Sequence, residues 1–239
     1  MSSAVVPEPP ASAPPPPPAG PSFDFLKPLT FVFDDARWVQ KVLIGGLFVL
    51  ASFMLIGIFF IYGYIARLAR NVIAGVPNPL PEWDDLGRDF SEGVKLFFVG
   101  FLYAIPVVIV AAFIFVPAVI MGSNADNETI QQLGGMGVAC VWCLLFPISL
   151  ALALWMPGAM LMVAVTGDFK AGFDFGRIFR FIRANVGNYI LAFVVWMVAR
   201  FAAGLGVLLL CVGIIFTIFW AFCVAAYAFA QTYRLSTVK

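Results

Sequence analysis

Five carboxylates lie close together in a chain that is otherwise poor in charge. Only 11% of the 239 residues are charged and 62% are hydrophobic. Within the stretch PLPEWDDLGRDFSEGVK the five are Glu82, Asp84, Asp85, Asp89 and Glu92. Such a group could carry acid–base catalysis, bind a divalent cation, or form a solvated cap on an apolar structure. We interpret it as the cap.

The spacing around these carboxylates favours an interfacial amphipathic helix. Read with the helical period, one face carries Trp83, Leu86, Phe90, Val94 and Phe97. The opposite face carries Asp85, Arg88, Asp89, Glu92 and Lys95. Pro81 suits a first helical turn, where Glu82, Asp84 and Asp85 would meet the positive end of the helix dipole. Trp83 would then lie in the aromatic belt at headgroup depth.

Composition disfavours several kinds of site. The chain has no His, the commonest metal ligand and general base. We therefore expect no catalytic residue, no cofactor and no metal, and expect that the chain is not an enzyme. A cation site on Asp84, Asp85 and Asp89 lacks EF-hand spacing and would include Arg88. With a net charge of +1 and no basic face, we expect no binding to nucleic acid.

Two further positions could carry chemistry. Cys140 and Cys143 have CxxC spacing, but without a second Cys pair or a His a zinc or redox site is disfavoured. Arg200 lies inside an apolar run, where an Arg is costly unless it snorkels or pairs. We favour snorkelling to the outer surface. The alternative makes Arg200 an anion or headgroup contact in a cavity.

Long apolar runs must position these residues, because a mean hydropathy of +0.99 leaves too little polar surface for a soluble globule. The runs are 42–66, 94–121, 137–165 and 189–230. Since about 20 apolar residues cross the hydrocarbon, the second and third runs predict one span each. The last predicts two, with arms at 185–203 and 207–230 and a turn at Gly204 and Gly206. We therefore predict an all-α, polytopic membrane protein with about five apolar segments.

The first run allows two paths because basic residues flank both of its ends. They are Lys27, Arg37, Lys41, Arg67 and Arg70. Either 42–66 is a full span that departs from the charge bias, or it re-enters, bending around Gly57 and leaving on the side that it entered. The next two spans are expected to kink at Pro106, Pro117, Pro147 and Pro157. We favour packing between kinked helices over a substrate path.

A second interfacial amphipathic helix is predicted after the third span. Its apolar arc comprises Phe175, Ile178, Phe179, Ile182 and Val186. Its basic arc comprises Arg177, Arg180 and Arg183, and Asp174 is a plausible N-cap. We expect the acidic and basic helices to pair, or the basic helix to hold anionic lipid headgroups, each Arg contributing about 1 kcal/mol.

The distribution of Lys and Arg predicts orientation. Residues 122–136 contain acidic but no basic residues, whereas Lys and Arg flank the other span ends. This loop is therefore expected outside and the C-terminus in the cytoplasm of a prokaryotic inner membrane. Residues 1–30, rich in Pro, are expected to be a disordered tail. Residues 31–235 would form a single transmembrane domain and 236–239 a short C-terminal tail.

Three stretches resemble DUF4013, a family of prokaryotic membrane proteins of unknown function. They are WVQKVLIGGLFVL, GYIARLARNVIAG and LPEWDDLGRDFSEGVKLFFVGFLYAIP, within about 38–110. The residues that match the family pattern are Gly63, Tyr64, Arg67, Arg70, Leu80 to Asp85, Tyr103 and Pro106. The family's Gly-Lys is interrupted here as Gly93-Val94-Lys95. Members often carry Pro in the middle of the first run, where this chain has Gly57. The resemblance implies a membrane fold and adds no chemistry.

We therefore expect a structural, scaffold or accessory subunit of a membrane complex. Its expected partners are the lipid bilayer, anionic headgroups and other membrane-protein subunits. Candidate lipid or interhelix contacts are Arg177, Arg180, Arg183, Glu82, Trp83, Asp84 and Asp85, and the candidate anion contact is Arg200. The alternative is a small-solute or lipid transporter that uses the Pro-kinked spans and Arg200.

Overall fold

The computed structural model of the chain describes residues 22–123, 128–208 and 213–237. Within these ranges all regular structure is helical and no strand occurs, which confirms the predicted all-α fold. In chain order the α-helices there are α1 (Lys27–Thr30), α2 (Trp38–Ala51), α3 (Gly57–Ala74), α4 (Leu86–Ser123), α5 (Glu128–Thr166), α6 (Phe175–Ala184), α7 (Val186–Leu205) and α8 (Gly213–Thr237). Short 3₁₀ helices lie at Phe31–Asp34, Ser52–Met54, Phe169–Phe173 and Gly206–Leu208.

Four of the described helical stretches are long and apolar enough to cross a membrane. They are Leu86–Ile120, Gly135–Thr166, Val186–Leu208 and Gly213–Ser236. A fifth is added if Lys27–Asp34 and Trp38–Met54, which meet at 109°, count as one bent span. The predicted polytopic arrangement of about five apolar segments is confirmed. By helix length and composition, this is a multi-pass membrane protein.

The first apolar run folds into a helical hairpin, not into one continuous helix. After α2 and its 3₁₀ extension the chain turns at Leu55, whose backbone is left-handed at φ 62°. The return helix, α3, begins at Gly57. A Cβ atom at Gly57 would overlap the carbonyl oxygen of Phe48, so the tight turn requires glycine. The rings of Phe48 and Phe60 stack between the two arms, with centroids 4.7 Å apart. The run therefore returns on itself, as the second of the two predicted paths requires.

Small residues allow α3 and α4 to approach closely. Cβ atoms at Gly63 and Gly93 would overlap the backbones of Asp89 and Phe59, respectively. The ring of Phe59 meets that of Phe97 edge-on, with centroids 5.0 Å apart. This contact places the start of α4, which carries Asp89 and Glu92 of the acidic stretch, beside the basic half of α3.

The α4–α5 pair is much longer than a membrane crossing needs. The two helices have 38 and 39 residues, about 57 Å at 1.5 Å per residue, against about 30 Å of hydrocarbon. The prolines inside them, which end neither helix, are Pro106, Pro117, Pro147 and Pro157. We call residues 101–120 of α4 and 136–150 of α5 the distal hairpin. Its side chains are mostly exposed, with Phe113 at 78% and Trp142 at 68%.

The last apolar tract forms the predicted pair of helices, with the second arm shifted. α7 ends at Leu205 and a 3₁₀ turn begins at Gly206, so Gly204 lies inside the helix and of the two predicted glycines Gly206 is the one in the turn. α8 begins at Gly213, later than the predicted start at residue 207. Residues 209–212 lie outside the described ranges.

The ends of the membrane domain also differ from prediction. Of the predicted tail at 1–30, residues 1–21 lie outside the described ranges, whereas Lys27–Thr30 is helical. Phe31 directly after it is buried and packs on the ring of Tyr227 in α8, with centroids 4.5 Å apart. The boundary at residue 30 is therefore too late, because apolar residues already anchor the chain there. α8 likewise extends into the predicted C-terminal tail.

Candidate functional site

The acidic stretch lies where both ends of the α2–α3 hairpin meet the start of α4. Near the start of α2, the Nζ of Lys41 is 2.7 Å from the carboxylate of Glu82. Near the end of α3, Arg67 donates to the backbone carbonyl of Glu82. The hairpin therefore begins and ends at the same end of the molecule. We call the charged side chains here the ion-pair cluster, with the members Asp35, Arg37, Lys41, Arg67, Arg70, Glu82, Asp84, Arg88, Asp89 and Glu92.

Lys41 fastens α2 to the loop before α4. Although charged, it is 3% exposed. Its Nζ lies 2.6 Å from the carboxylate of Asp35 and donates to the carbonyl of Leu80 at 2.9 Å. Arg37 reaches the same Glu82 oxygen as Lys41, at 2.7 Å. The buried ammonium is thus compensated by two carboxylates and a carbonyl, as a charge removed from water requires.

Arg67 joins α3 to the acidic stretch through two carboxylates. One guanidinium nitrogen lies 2.8 Å from Asp84 and the other 2.8 Å from Asp89. The side chain of Asp89 is fully buried, whereas that of Asp84 is exposed. The Nε of Arg67 and the Oδ1 of Asp89 have no hydrogen-bond partner. The cluster therefore holds a buried charge pair whose hydrogen-bonding capacity is not fully used.

A third set of contacts joins α3, α4 and the end of α5. Glu92 accepts from Arg70 of α3 and, at 3.0 Å, from Arg88 one turn earlier in α4. Arg70 also donates to the carbonyl of Ala164 at 3.0 Å. Through these bonds three helix ends are held at one level of the molecule.

Two aromatic side chains complete the junction. The rings of Trp83 and Tyr64 stack with centroids 4.2 Å apart. The indole nitrogen of Trp83 donates to the carbonyl of Lys41 at 3.0 Å, and the hydroxyl of Tyr64 donates to that of Pro81 at 2.9 Å. The ring and the indole nitrogen of Trp83 thus make contacts inside the protein. Its position at headgroup depth stays a prediction.

The solvated-cap interpretation is wrong for the start of α4. Asp89 is fully buried, whereas Leu86 and Phe90 of the predicted inner face are 42% and 40% exposed. α4 therefore directs the carboxylate of Asp89 toward the other helices of the protein. The physical reason is Arg67 on α3, which compensates the buried carboxylate, while exposed apolar side chains cost nothing against lipid.

The start of α4 keeps one predicted feature of a helix N-terminus. Its helix begins at Leu86, so Pro81 and Glu82 precede it and do not form its first turn. The Oδ1 of Asp85 accepts from the backbone N–H of Arg88 at 3.0 Å. This is the bond of an N-cap residue.

Two carboxyl groups outside the spans have shifted pKa values. Burial raises the pKa of Asp35, but hydrogen bonds from the Lys41 side chain and the Arg37 backbone lower it more, so the net shift is downward. For Asp84 the hydrogen bond from Arg67 is the main cause of a lowered pKa. Both groups are therefore held in the charged form that their cations require.

The basic helix after the third span does not pair with the acidic stretch within the described residues. The carboxylates bond to cations of α2, α3 and α4 instead. On α6 the three residues Arg177, Arg180 and Arg183 are exposed, as are Phe175 and Phe179. The predicted N-cap is confirmed, since Asp174 accepts from the backbone of Arg177 at 2.9 Å. Contact with anionic headgroups stays a prediction for this helix.

The remaining predicted positions lie apart from the cluster. Arg200 is exposed on α7, and its role as an anion contact stays a prediction. Cys140 and Cys143 of α5 are exposed free thiols. In the part of the chain that the structure describes, no three His, Cys, Asp or Glu side chains are placed to hold a metal.

The structure also contains an apolar cavity that the sequence did not reveal. Its volume is about 250 Å³, and it lies among α3, α4, α5, α7 and α8. Residues that line it include Tyr62, Ala69, Met156, Pro157, Trp196 and Phe229. Arg200 is not part of this lining. A signal existed in the paired alanines Ala66 and Ala69 of α3 and Ala225 and Ala226 of α8, which leave space between helices.

In the sequence, Arg37, Lys41, Arg67 and Arg70 indicate orientation, and Arg67 and Arg70 also match the family pattern, but none was predicted as a partner of the carboxylates. In the structure they are the partners of the acidic stretch. The signal was the balance of opposite charges: these four cations flank the first run, and five carboxylates follow it between residues 82 and 92. Opposite charges on neighbouring apolar segments are costly in a membrane unless they pair, which favours such pairing.

Comparison with protein families gave one match. The model described as "Protein of unknown function (DUF4013)" matches residues 46–212. The match includes α3, the ion-pair cluster from Arg67 onward, α4, α5, α6 and α7, so it reaches well past the resemblance at 38–110. No curated protein and no solved structure matches the chain.

Proposed function

This chain belongs to the DUF4013 family of proteins of unknown function, and from that premise we propose that it is a structural, scaffold or accessory subunit of a membrane complex and not an enzyme. The observation that carries the proposal is the exposure of the distal hairpin. Spans Leu86–Ile120 and Gly135–Thr166 bury 6% of their apolar window, against 28% for Val186–Leu208 and 44% for Gly213–Ser236.

A long and sparsely packed helix pair suits contact with other membrane proteins. An apolar stretch longer than the hydrocarbon must tilt, kink or thicken the bilayer, and this mismatch drives some helix–helix association. Association in lipid depends on van der Waals packing, for which the distal hairpin offers large side chains. Phe113, Trp142 and Phe146 are 78%, 68% and 71% exposed. Partner helices that pack on these side chains would supply the burial that the chain itself does not.

The ion-pair cluster supports the same proposal from the other end of the molecule. Its carboxylates bond to cations of neighbouring helices, and so they hold the hairpin, α4 and α5 in one arrangement. Such compensated pairs fix geometry more than they add stability. A rigid base from which the distal hairpin extends is what a scaffold requires.

The proposal includes a prokaryotic cytoplasmic membrane with the cluster end in the cytoplasm. The Nζ of Lys95 donates to the carbonyl of Gly167 at 2.9 Å, which brings the start of α4 and the end of α5 together. The guanidinium of Arg234 lies against Gly75. Basic residues of four helices therefore gather at one end, and the positive-inside rule assigns such an end to the cytoplasm.

Photo-cross-linking in native membranes tests the subunit role. We would place p-benzoylphenylalanine at Phe113 in the distal hairpin and, as a matched control, at Phe201 of α7, which is 75% exposed. A discrete protein adduct at Phe113 but not at Phe201, matching a stoichiometric partner in mild detergent, is the expected result. Lipid adducts alone at both positions would contradict the proposal.

A transporter of small solutes or lipids is the alternative, and the apolar cavity favours it. Pro157 of the third predicted span lines this cavity, as a pathway through Pro-containing spans would require. Arg200 would have to act elsewhere on the path. Saturable flux through the reconstituted chain, lost when Ala153→Phe fills the cavity, would favour the transporter over the subunit.

A further inference from the structure

The apolar cavity opens next to a small charged hollow. The two share Ala66, Leu96 and Ala164 in their linings. The hollow is also lined by Arg70, Glu92 and Lys95. Within α3 the cavity extends from Ala69, next to Arg70, to Tyr62 two turns deeper. The hollow measures only about 10 Å³, room for no more than a water-sized group, so the head of a ligand whose apolar chain lies in the cavity would contact the hollow's side chains from outside it.

The charges of the hollow do not cancel. Glu92 is bonded by two cations, Arg70 and Arg88. Lys95 donates to the carbonyl of Gly167 at 2.9 Å, and among the described residues it has no carboxylate partner. The lining of the hollow thus has two cations, Arg70 and Lys95, and one carboxylate, Glu92. This excess of positive charge selects an anionic headgroup over a zwitterionic or cationic one.

We propose that the cavity and the hollow together form a site for one anionic phospholipid of the surrounding bilayer. One acyl chain occupies the cavity, and the phosphate binds at Lys95. An acyl chain gains no hydrophobic free energy on passing from lipid into an apolar cavity. The preference for a particular lipid must therefore come from its headgroup. Lys95, which binds the phosphate, is the residue that selects the lipid. This site is independent of the proposed subunit role.

Native mass spectrometry of the full chain in detergent tests the headgroup contact. Phosphatidylglycerol and phosphatidylcholine would be supplied in equal amounts, and we expect one phosphatidylglycerol to be retained preferentially. Lys95→Gln should lower that preference about fivefold, the factor that corresponds to about 1 kcal/mol for one Lys at an anionic headgroup. Lys170→Gln, which removes an exposed cation near the end of α5, should leave the preference unchanged. An equal preference in wild type and Lys95→Gln would overturn the proposal.

A matched pair on α5 tests the chain contact. Ala153 lines the cavity, whereas Ala151, two residues earlier, is exposed and does not. Ala153→Phe should abolish retention of the lipid, and Ala151→Phe should not. Ala225→Leu fills the same cavity from α8 and provides a second variant if Ala153→Phe loses its helical circular dichroism. Equal lipid retention in a folded cavity-filling variant and in Ala151→Phe would show that the lipid binds elsewhere and overturn the site.

Discussion

Arg67 of α3 and Asp89 of α4 form an ion pair of 2.8 Å in which the carboxylate is fully buried. The backbone of Asp89 lies so close to Gly63 of α3 that a Cβ there would overlap it. The pair therefore lies beside a very close contact between α3 and α4. A charge in such a place depends on its partner, because water cannot replace it.

Breaking this pair from the cationic side should destabilise the fold strongly. We expect Arg67→Leu to lower the free energy of unfolding by about 3–5 kcal/mol, because it leaves the buried charge of Asp89 uncompensated. Denaturant unfolding in detergent, followed by circular dichroism, measures the loss. Arg88→Gln is the control, since it removes an exposed i,i+4 pair worth about 0.3–0.5 kcal/mol.

The double variant Arg67→Leu with Asp89→Leu separates the pair from its two members. With both charges removed, most of the lost stability should return, because two apolar side chains of similar volume can pack in the same place and leave no buried charge. A double variant as unstable as Arg67→Leu alone would mean that the loss comes from packing or from Asp84, not from the buried pair.

The close approach of α3 and α4 predicts opposite effects for two glycines of the same helix. At Gly93 a Cβ would overlap the carbonyl of Phe59, so Gly93→Ala should destabilise by about 1–3 kcal/mol through overpacking. At Gly87 the nearest atom lies 3.9 Å away, so Gly87→Ala should be neutral or stabilise by about 0.5–1 kcal/mol. Thermal unfolding in detergent compares them, and equal shifts would exclude the close contact.

The contact between Lys41 and Asp35 predicts a loss of stability in acid. The pKa of Asp35 is lowered from 3.8, so its charged form is favoured by folding. The stabilisation is complete above the unfolded pKa and is lost as pH falls through the lower folded pKa. Asp35→Asn should lower stability at pH 7 and make unfolding less dependent on pH below about 4. Unfolding midpoints between pH 7 and pH 3 measure this effect.

Asp34→Asn is the matched control for this titration. Asp34 is the neighbour of Asp35, but it pairs with Lys27 at the surface, where the side chains are 51% and 45% exposed. An exposed pair contributes at most about 1 kcal/mol. If Asp34→Asn changed the stability at pH 7 as much as Asp35→Asn, the contact with the buried Lys41 would not explain the effect of Asp35→Asn.

The apolar runs could be predicted because hydropathy summed over about 20 residues needs no knowledge of neighbours. The rotation of α4 about its own axis, which decides the face that meets the other helices, could not be predicted. Periodicity places Asp89 and Leu86 on different faces, but it does not say whether a polar face meets water or a cation on another helix. Here the deciding residue, Arg67, lies 22 positions away. The cavity was equally hidden, because its lining comes from five helices.

The path of the first run followed from a similar long-range contact. Because basic residues flank both of its ends, both a full span and a re-entrant segment were possible. The charge bias indicates the side of the membrane on which each end lies, but not the path of the chain between the ends. Lys41 and Arg67 both bond to Glu82, which requires the two ends to meet. The carboxylate of Glu82, which follows both basic segments, was the feature that could have decided it.

Reporter fusions test this path directly. With the hairpin returning, the N-terminus, residue 75 and residue 170 should report the same side, and residue 128 the opposite side. A full span at 42–66 would instead place the N-terminus opposite residue 75. Alkaline phosphatase and green fluorescent protein fusions at each position read the two sides independently. The basic residues predict the cytoplasm for the shared side.

The exposed arginines of α6 predict a dependence on anionic lipid that differs from that of the cavity. Phe175 and Phe179 are 58% and 54% exposed beside Arg177, Arg180 and Arg183, as in a helix that lies in the interface. Replacing the three arginines by Gln should remove about 3 kcal/mol of attraction to an anionic surface, at about 1 kcal/mol each. The variant should lose the thermal stabilisation that phosphatidylglycerol nanodiscs give over phosphatidylcholine nanodiscs, yet retain its bound lipid in native mass spectrometry. An unchanged difference between the two nanodiscs would mean that α6 does not rest on headgroups.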